Sequence, residues 1–377
     1  VRPGIEVLLS DSAHLISGLR IGLLTNQTGV DRRGVSDLAR LLEAGAQVTA
    51  IFAPEHGYRG TLDQEMIGHG LDSATGIRIF SLYGEVRAPT AEMLDSVDVM
   101  LIDLQDIGAR PYTYISTALL AMEAAARHGV RVILLDRPNP IGGVLVQGPV
   151  LDPAFRSFVG MLPVPLRHGM TMGELALMGN RILGLGADLV VIPAAGWQRR
   201  LWFDETGLPW VRPSPNMPDL ESAAHYPGTV LFEGTNLSVG RGTPVAFGVV
   251  GAPWMSPREV IARMEVPAGV SVGDTVVVPR RPSDGKYDGM RLPAVRLRVT
   301  DRAVYDPVRA AVALLVAVRR VHGDVLVIDP RRFDPLAGGS ALREAVEAGR
   351  GAGEIAAEWE VPLERFRRLR EAFLLYR

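Results

Sequence analysis

The feature that most narrows the fold is a rhythm. Over roughly the first 200 residues, short β-rich apolar runs alternate with helix-like segments. The runs fall at 21–25, 48–53, 77–81, 97–103, 130–136 and 189–192. Their near-continuous hydrophobicity is what strands buried on both faces require. Helical spacing falls between them at 35–44, 91–94, 116–128 and 171–182. The last of these opens on Thr171 with Glu174 three residues on, a capping-box signature. This alternation predicts an α/β fold: a Rossmann-like, mostly parallel, doubly wound sheet.

At 377 residues the chain is long enough for two domains. Between about 195 and 245 the texture changes to loops rich in Trp, Pro and Gly, read here as a long functional stretch without regular structure. Shorter strands follow at 275–278 and 294–299, then an apolar helix at 308–321 and a helical tail at 355–375. The expected division is a catalytic domain of residues 1–225 and a smaller α+β domain of residues 226–377 that completes the active-site cleft.

Composition removes whole classes of chemistry. With no cysteine there is no disulfide framework, thiolate metal site or cysteine nucleophile. A net charge of −2 gives nothing that draws the molecule to nucleic acid. No apolar run reaches the roughly 18 residues of a membrane span. The motifs G-x-G-x-x-G, G-x-x-x-x-G-K-[ST] and G-x-S-x-G are missing, so dinucleotide, P-loop and nucleophile-elbow chemistry lose their usual support. Of 40 basic residues only Lys286 is a lysine, the single candidate for a Schiff base. His56 and His69 lack a metal-ligand pairing, and neither metal nor cofactor is expected.

Ligands of open α/β sheets bind beyond the carboxyl ends of the strands. There stand Thr25-Asn26-Gln27-Thr28-Gly29, Pro54-Glu55-His56-Gly57-Tyr58-Arg59, Asp103-Leu104-Gln105-Asp106 leading to Arg110 and Tyr112, and Asp136-Arg137-Pro138-Asn139-Pro140. Arg167-His168-Gly169 precedes the capped helix, and Glu233-Gly234-Thr235-Asn236 leads to Arg241. Carboxylates, amides and arginines mixed with tyrosines suit a polyhydroxylated, partly anionic ligand. Glu55 stands out, because desolvation at the lip of a buried strand raises a carboxyl's pKa, as a general acid requires. Its plainer role is a helix cap or a salt bridge to Arg59. Asp103 and Asp106 suit substrate hydroxyls, a second catalytic carboxylate, or loop amides. Trp197, Trp202 and Trp210 either stack on sugar rings or seal a seam.

Leu24-Thr25-Asn26-Gln27-Thr28-Gly29, Pro54-Glu55-His56-Gly57, Gln105-Asp106-Ile107-Gly108-Ala109-Arg110, Asp136-Arg137-Pro138-Asn139-Pro140, Arg167-His168-Gly169-Met170-Thr171 and Glu233-Gly234-Thr235-Asn236 occur in one order. That series resembles the exo-β-N-acetylmuramidases of the NamZ type, over essentially the whole chain. The resemblance implies a Rossmann-like catalytic domain, a smaller C-terminal domain and a site in the cleft between them. It implies release of terminal N-acetylmuramic acid (MurNAc) from the non-reducing end of β-1,4-linked cell-wall fragments, with Glu55 as the acid. The implied partners are peptidoglycan-derived MurNAc-GlcNAc oligosaccharides.

Glycoside hydrolysis adds a requirement for a second carboxylate, read as Asp103 or Glu233, with the substrate's own acetamide as an alternative nucleophile. The lactyl carboxylate of MurNAc calls for an arginine fork. Arg59, Arg110, Arg137 and Arg241 are candidates, with Arg59 and Arg110 favoured. Asn26, His56, Gln105, Tyr112, Asn139, Arg167, His168 and Asn236 complete the expected substrate-binding set. The competing class is a non-catalytic muropeptide- or sugar-binding protein of the cell envelope. An extracytoplasmic location is expected from the substrate and from a chain starting at Val1 without an initiator methionine; a cytoplasmic recycling enzyme would look the same.

Overall fold

The computed structural model describes residues 1–64 and 66–377. Its main sheet is built from β1 (Arg20–Thr25), β2 (Gln47–Ala53), β3 (Gly70–Leu71), β4 (Arg78–Ser81), β5 (Val99–Asp103), β6 (Arg131–Leu135) and, after the small ribbon β7 (Gln147–Val150) and β8 (Pro165–Arg167), β9 (Leu189–Ile192). The spatial order is β3-β4-β2-β1-β5-β6-β9. Every pairing is parallel except that of the short edge strand β3 with β4. The chain works outward from β1 through β2 to β4, then returns to lay β5 on the other side of β1. This reversal is the switch point at which such sheets open a crevice, and there Thr25 stands beside Asp103 in register.

Side-chain alternation divides the core. Ile21, Leu23, Val99 and Leu101 pack with Leu38 and Leu41 of helix Asp37–Glu43 and with Ile5 and Leu8 of helix Gly4–Asp11. Leu24, Met100 and Ile102 face the opposite way, onto helices Tyr114–Arg127 and Met172–Ile182. Thr171 and Glu174 form the expected capping box. The smaller region holds an antiparallel sheet of β10 (Val249–Gly251), β11 (Val270–Val277) and β12 (Leu292–Val299), in the order β10-β12-β11, with helix Pro307–His322 beside it.

Two expectations need correction. The stretch 195–245 is not without regular structure: helix Leu220–Thr229 runs across residues 225 and 226 and continues as the turn Val230–Gly234. Pro227 and Gly228 hide it, being poor helix formers, but tertiary packing overrides propensity. A Cβ on Gly228 would lie 1.9 Å from the Pro307 carbonyl oxygen, so glycine is what lets the two helices approach. The C-terminal tail is broken rather than continuous, with helices Ala352–Ala357 and Glu360–Arg370. It then returns to the main sheet, where the Tyr376 hydroxyl donates to Asp136 at 2.6 Å.

Asp136 also accepts from Thr171 Oγ1 at 2.7 Å, Gly173 N at 2.8 Å and Arg137 N at 3.0 Å. Burial nevertheless pushes its pKa from 3.8 up to about 7. The folded state therefore keeps a proton that the unfolded chain releases. The associated stability is full below about pH 4 and is lost as pH rises towards about 7. Urea unfolding is expected to show stability declining across that window, with a shallower decline in Asp136→Asn, whose amide keeps the shape. Identical pH slopes in the two proteins would show that Asp136 does not titrate there.

Candidate active site

The loop after β2 is a turn closed by Gly57 N donating to Pro54 O at 3.0 Å. His56 occupies it with φ at 69°, a left-handed conformation that non-glycine residues rarely adopt. Leu62 holds it there. Leu62 N donates to His56 O at 3.2 Å, and His56 Nδ1 lies 2.8 Å from Leu62 O. Because that partner is a carbonyl, Nδ1 carries the proton. The turn projects Glu55, which is half-buried and accepts from Thr113 Oγ1. Further along, Gly60 has φ at 67°, the left-handed region that favours glycine, and lies against the Gln27 side-chain amide of the loop after β1.

Three buried tyrosines lie near Glu55. Tyr112 meets Tyr114 edge-on at 4.8 Å and Tyr226 at 5.8 Å. The Tyr112 hydroxyl is buried and finds no well-aligned hydrogen-bond partner among the described residues. Burial drives the Tyr226 phenol well up, helped by the negative charges of Glu233, Glu55 and Asp106. Carboxylates from both parts of the chain thus act on one hydroxyl.

From the smaller region comes Glu233, in the turn Val230–Gly234, paired through Oε1 with Arg241 Nε at 2.6 Å. The two side chains remain 23% and 18% exposed. The Arg241 guanidinium lies over Phe247 at 5.2 Å. Burial works against its charge, but Glu233 holds it more firmly protonated than an ordinary arginine. A polar chain joins the two sides. Asp63 Oδ1 is 3.8 Å from His56 Nδ1, Asn216 Nδ2 donates to Asp63 at 2.7 Å, and Gly242 N donates to Asn216 Oδ1 at 3.4 Å. Sequence reasoning passed over Asp63, Asn216 and Ser283, whose Oγ accepts from Arg241 Nη1 at 3.3 Å. Only Asn216 carried a signal, its place in the run Pro213-Ser214-Pro215-Asn216-Met217-Pro218.

Several expected site residues have their polar groups taken up by the scaffold or lie on the surface. Asp103 is 0% exposed, and Arg137 occupies its carboxylate through Nε and, at 3.1 Å, Nη2. Arg137 also donates to Val30 O at 2.7 Å and is itself buried. Arg110 spends Nη1 and Nη2 on the carbonyls of Pro149, Val164 and Leu336, each at 2.9 Å, and burial pulls its pKa down to about 9. Arg167 is fully buried on Gln147, Tyr305 and Ile141. Asn139 ties Met170 O to Ile141 N, and Asn236 ties Val325 O to Val327 N. Arg59 errs in the other direction: its side chain is 69% exposed beside Asp72 and Ser73. All of these brace the scaffold or lie on the surface.

A polar floor lies beneath the switch point. Asn26 Oδ1 accepts from Thr28, and the Gln105 amide donates to Asp106 O and Pro138 O. His168 Nδ1 accepts from Met170 N, with Nε2 3.5 Å from Asp106. Asn26 Nδ2, Gln105 Oε1, Asp106 Oδ1 and His168 Nε2 are buried atoms with no well-aligned hydrogen-bond partner among the described residues. Such groups cost free energy unless a ligand or water meets them. The tryptophans serve packing: Trp197 lies against Tyr376 at 4.9 Å and Trp210 against Phe203 at 5.1 Å.

The family model described as exo-β-N-acetylmuramidase NamZ, N-terminal, matches residues 21–221, and its C-terminal counterpart matches residues 224–376. The chain belongs to the NamZ family. A curated relative named peptidoglycan β-N-acetylmuramidase NamZ, from Bacillus subtilis strain 168, is 40% identical over 382 residues, covering 100% of this chain and 91% of the relative. Among solved structures, a DUF1343 family protein of Bacteroides fragilis NCTC 9343 superposes with a TM-score of 0.90 at 35% identity, covering 100% of this chain and 99% of that one. A second DUF1343 protein of the same strain gives 0.82 at 32% identity, with the same coverage. The likeness to these two solved structures extends along the entire chain.

Proposed function

We propose that this chain is an exo-acting glycosidase that releases terminal β-1,4-linked MurNAc from the non-reducing end of peptidoglycan fragments, with MurNAc-GlcNAc oligosaccharides as substrates. What supports the reading is the chain's membership of the NamZ family together with two carboxylates, Glu55 and Glu233, that both act on the buried Tyr226 phenol. Glu55, held at one oxygen by Thr113, donates a proton to the departing glycosidic oxygen. Glu233 faces the positive charge that develops at the anomeric carbon. Arg241, not Arg59 or Arg110, reads the lactyl carboxylate, since its guanidinium is the one held beside the second carboxylate. The orphaned atoms of Asn26, Gln105 and Asp106 take substrate hydroxyls. Because the substrate is cell-wall material, we assign its action to the outside of the cytoplasm; fractionation that finds the protein solely in the cytosol overturns that assignment.

Incubation with MurNAc-β-1,4-GlcNAc is expected to liberate free MurNAc, whereas binding without turnover would transfer the protein to the receptor class. Arg241→Lys keeps a cation beside Glu233 but loses the fork. A charge-assisted hydrogen bond is worth roughly 1.5–3 kcal/mol, so turnover of the MurNAc substrate should fall about ten- to hundredfold. Turnover of a GlcNAc analogue should fall much less. Equal losses on the two substrates remove the recognition role.

A further inference from the structure

One cation in this chain is chemically unlike the rest. Lys286, the sole lysine, lies in the loop 278–291 between β11 and β12. Its Nζ is within hydrogen-bonding distance of the carbonyl oxygens of Thr235 (2.7 Å), Leu237 (3.0 Å), Glu233 (3.2 Å) and Phe232 (3.4 Å). An ammonium has three protons, so four carbonyls share them. These carbonyls lie in and just beyond the turn Val230–Gly234, which follows helix Leu220–Thr229, where the helix dipole leaves partial negative charge. A guanidinium is a planar fork and cannot aim its donors at oxygens converging on one point. That is a physical reason for lysine here in a chain whose other basic residues are all arginine.

The same loop holds the site by two further contacts. Tyr287 Oη donates to Asn236 O at 2.7 Å, and Ser283 Oγ accepts from Arg241 Nη1 at 3.3 Å. Arg281 and Tyr287 have φ at 47° and 58°, a left-handed conformation that non-glycine residues keep only where the surroundings enforce it. On the far side, a Cβ at Gly234 would lie 2.5 Å from Phe333 Cα, so the segment has no room to shift that way.

We propose that Lys286 is the positioning residue for Glu233. Its ammonium draws the carbonyls on both sides of Glu233 towards one point, and so fixes the direction in which the carboxylate and its Arg241 partner enter the cleft. The proposal rests on the reading of Glu233 as the second carboxylate. Sub-ångström placement of a reacting group is worth up to about 10²-fold in rate.

The absence of cysteine gives a direct test. Lys286→Cys carries a single thiol, which 2-bromoethylamine converts to a lysine analogue and iodoacetamide converts to a neutral side chain of similar bulk. Turnover of MurNAc-GlcNAc is expected to fall on the order of 10²-fold in kcat in Lys286→Cys and in Lys286→Met. KM should rise by less than kcat falls, since Arg241 keeps its place over Phe247 when Glu233 shifts. Aminoethylation should restore kcat and carbamidomethylation should not. Equal recovery with both reagents, or Lys286→Met with wild-type kcat, overturns the proposal. Glu233→Gln separates the two ideas. If it is inactive while Lys286→Met is normal, only the positioning role fails. If it retains wild-type turnover, the reading of Glu233 fails, and any loss in Lys286→Met then has another origin.

Discussion

Glu55→Gln is expected to lower hydrolysis of MurNAc-β-1,4-GlcNAc by about 10²–10⁴-fold, the usual worth of a positioned general acid. The size alone does not identify the role; the leaving group does. A sugar alkoxide departs poorly and needs the proton of Glu55 as the bond breaks. An aryl glycoside with an acidic phenol departs with little help. The variant should therefore retain far more of its activity on the aryl substrate than on the disaccharide. Equal losses on both substrates are the outcome that sinks the acid assignment. Thr113→Val removes the hydroxyl that holds one Glu55 oxygen while keeping the bulk. Its effect should share the same leaving-group dependence at smaller magnitude.

The sheet was legible because its strands are buried on both faces. Each run of continuous apolar residues in the first half became a strand, within one or two residues at either end. The position of Glu55 in the turn after β2 was legible for a local reason too, since a carboxyl directly after a buried strand and within a Pro-Glu-His-Gly turn has little freedom to go elsewhere. Arginines are different. What a guanidinium does depends on which carbonyls other segments bring to it, and Arg110 is satisfied by Leu336, 226 residues away. Nothing near Arg110 in the sequence announces that partner. The links from Asp63 to Asn216 and from Ser283 to Arg241 were hidden in the same way.

Asp103 is a more instructive case, because its fate was encoded. Alternation along β5 puts it on the same face as Val99 and Leu101, beneath helix Asp37–Glu43. The expectation of a cleft residue attended to the end of the strand and not to the parity of the position.

That parity carries the second large effect. Arg137, Asp103 and Asp37 form a sealed cluster of one guanidinium and two carboxyls. Burial, then the neighbouring Asp103, drives the Asp37 carboxyl well up. Burial also raises Asp103, but the two guanidinium contacts favour its charged form. Asp37 accordingly holds the shared proton and Asp103 is the ion that Arg137 neutralises, leaving the cluster with no net charge. Arg137→Met removes the only cation and is expected to cost about 3–5 kcal/mol of unfolding free energy at neutral pH, as for other buried pairs broken from one side. The deficit should shrink near pH 4–5, where both carboxyls can be neutral. Asp103→Asn should be milder, because Asp37 can give up its proton and pair with Arg137 instead. Its folded fraction should turn over substrate near the wild-type rate. A stable Asp103→Asn protein with a rate as low as that of Glu55→Gln would instead make Asp103 part of the chemistry, and would require the cluster to open during turnover.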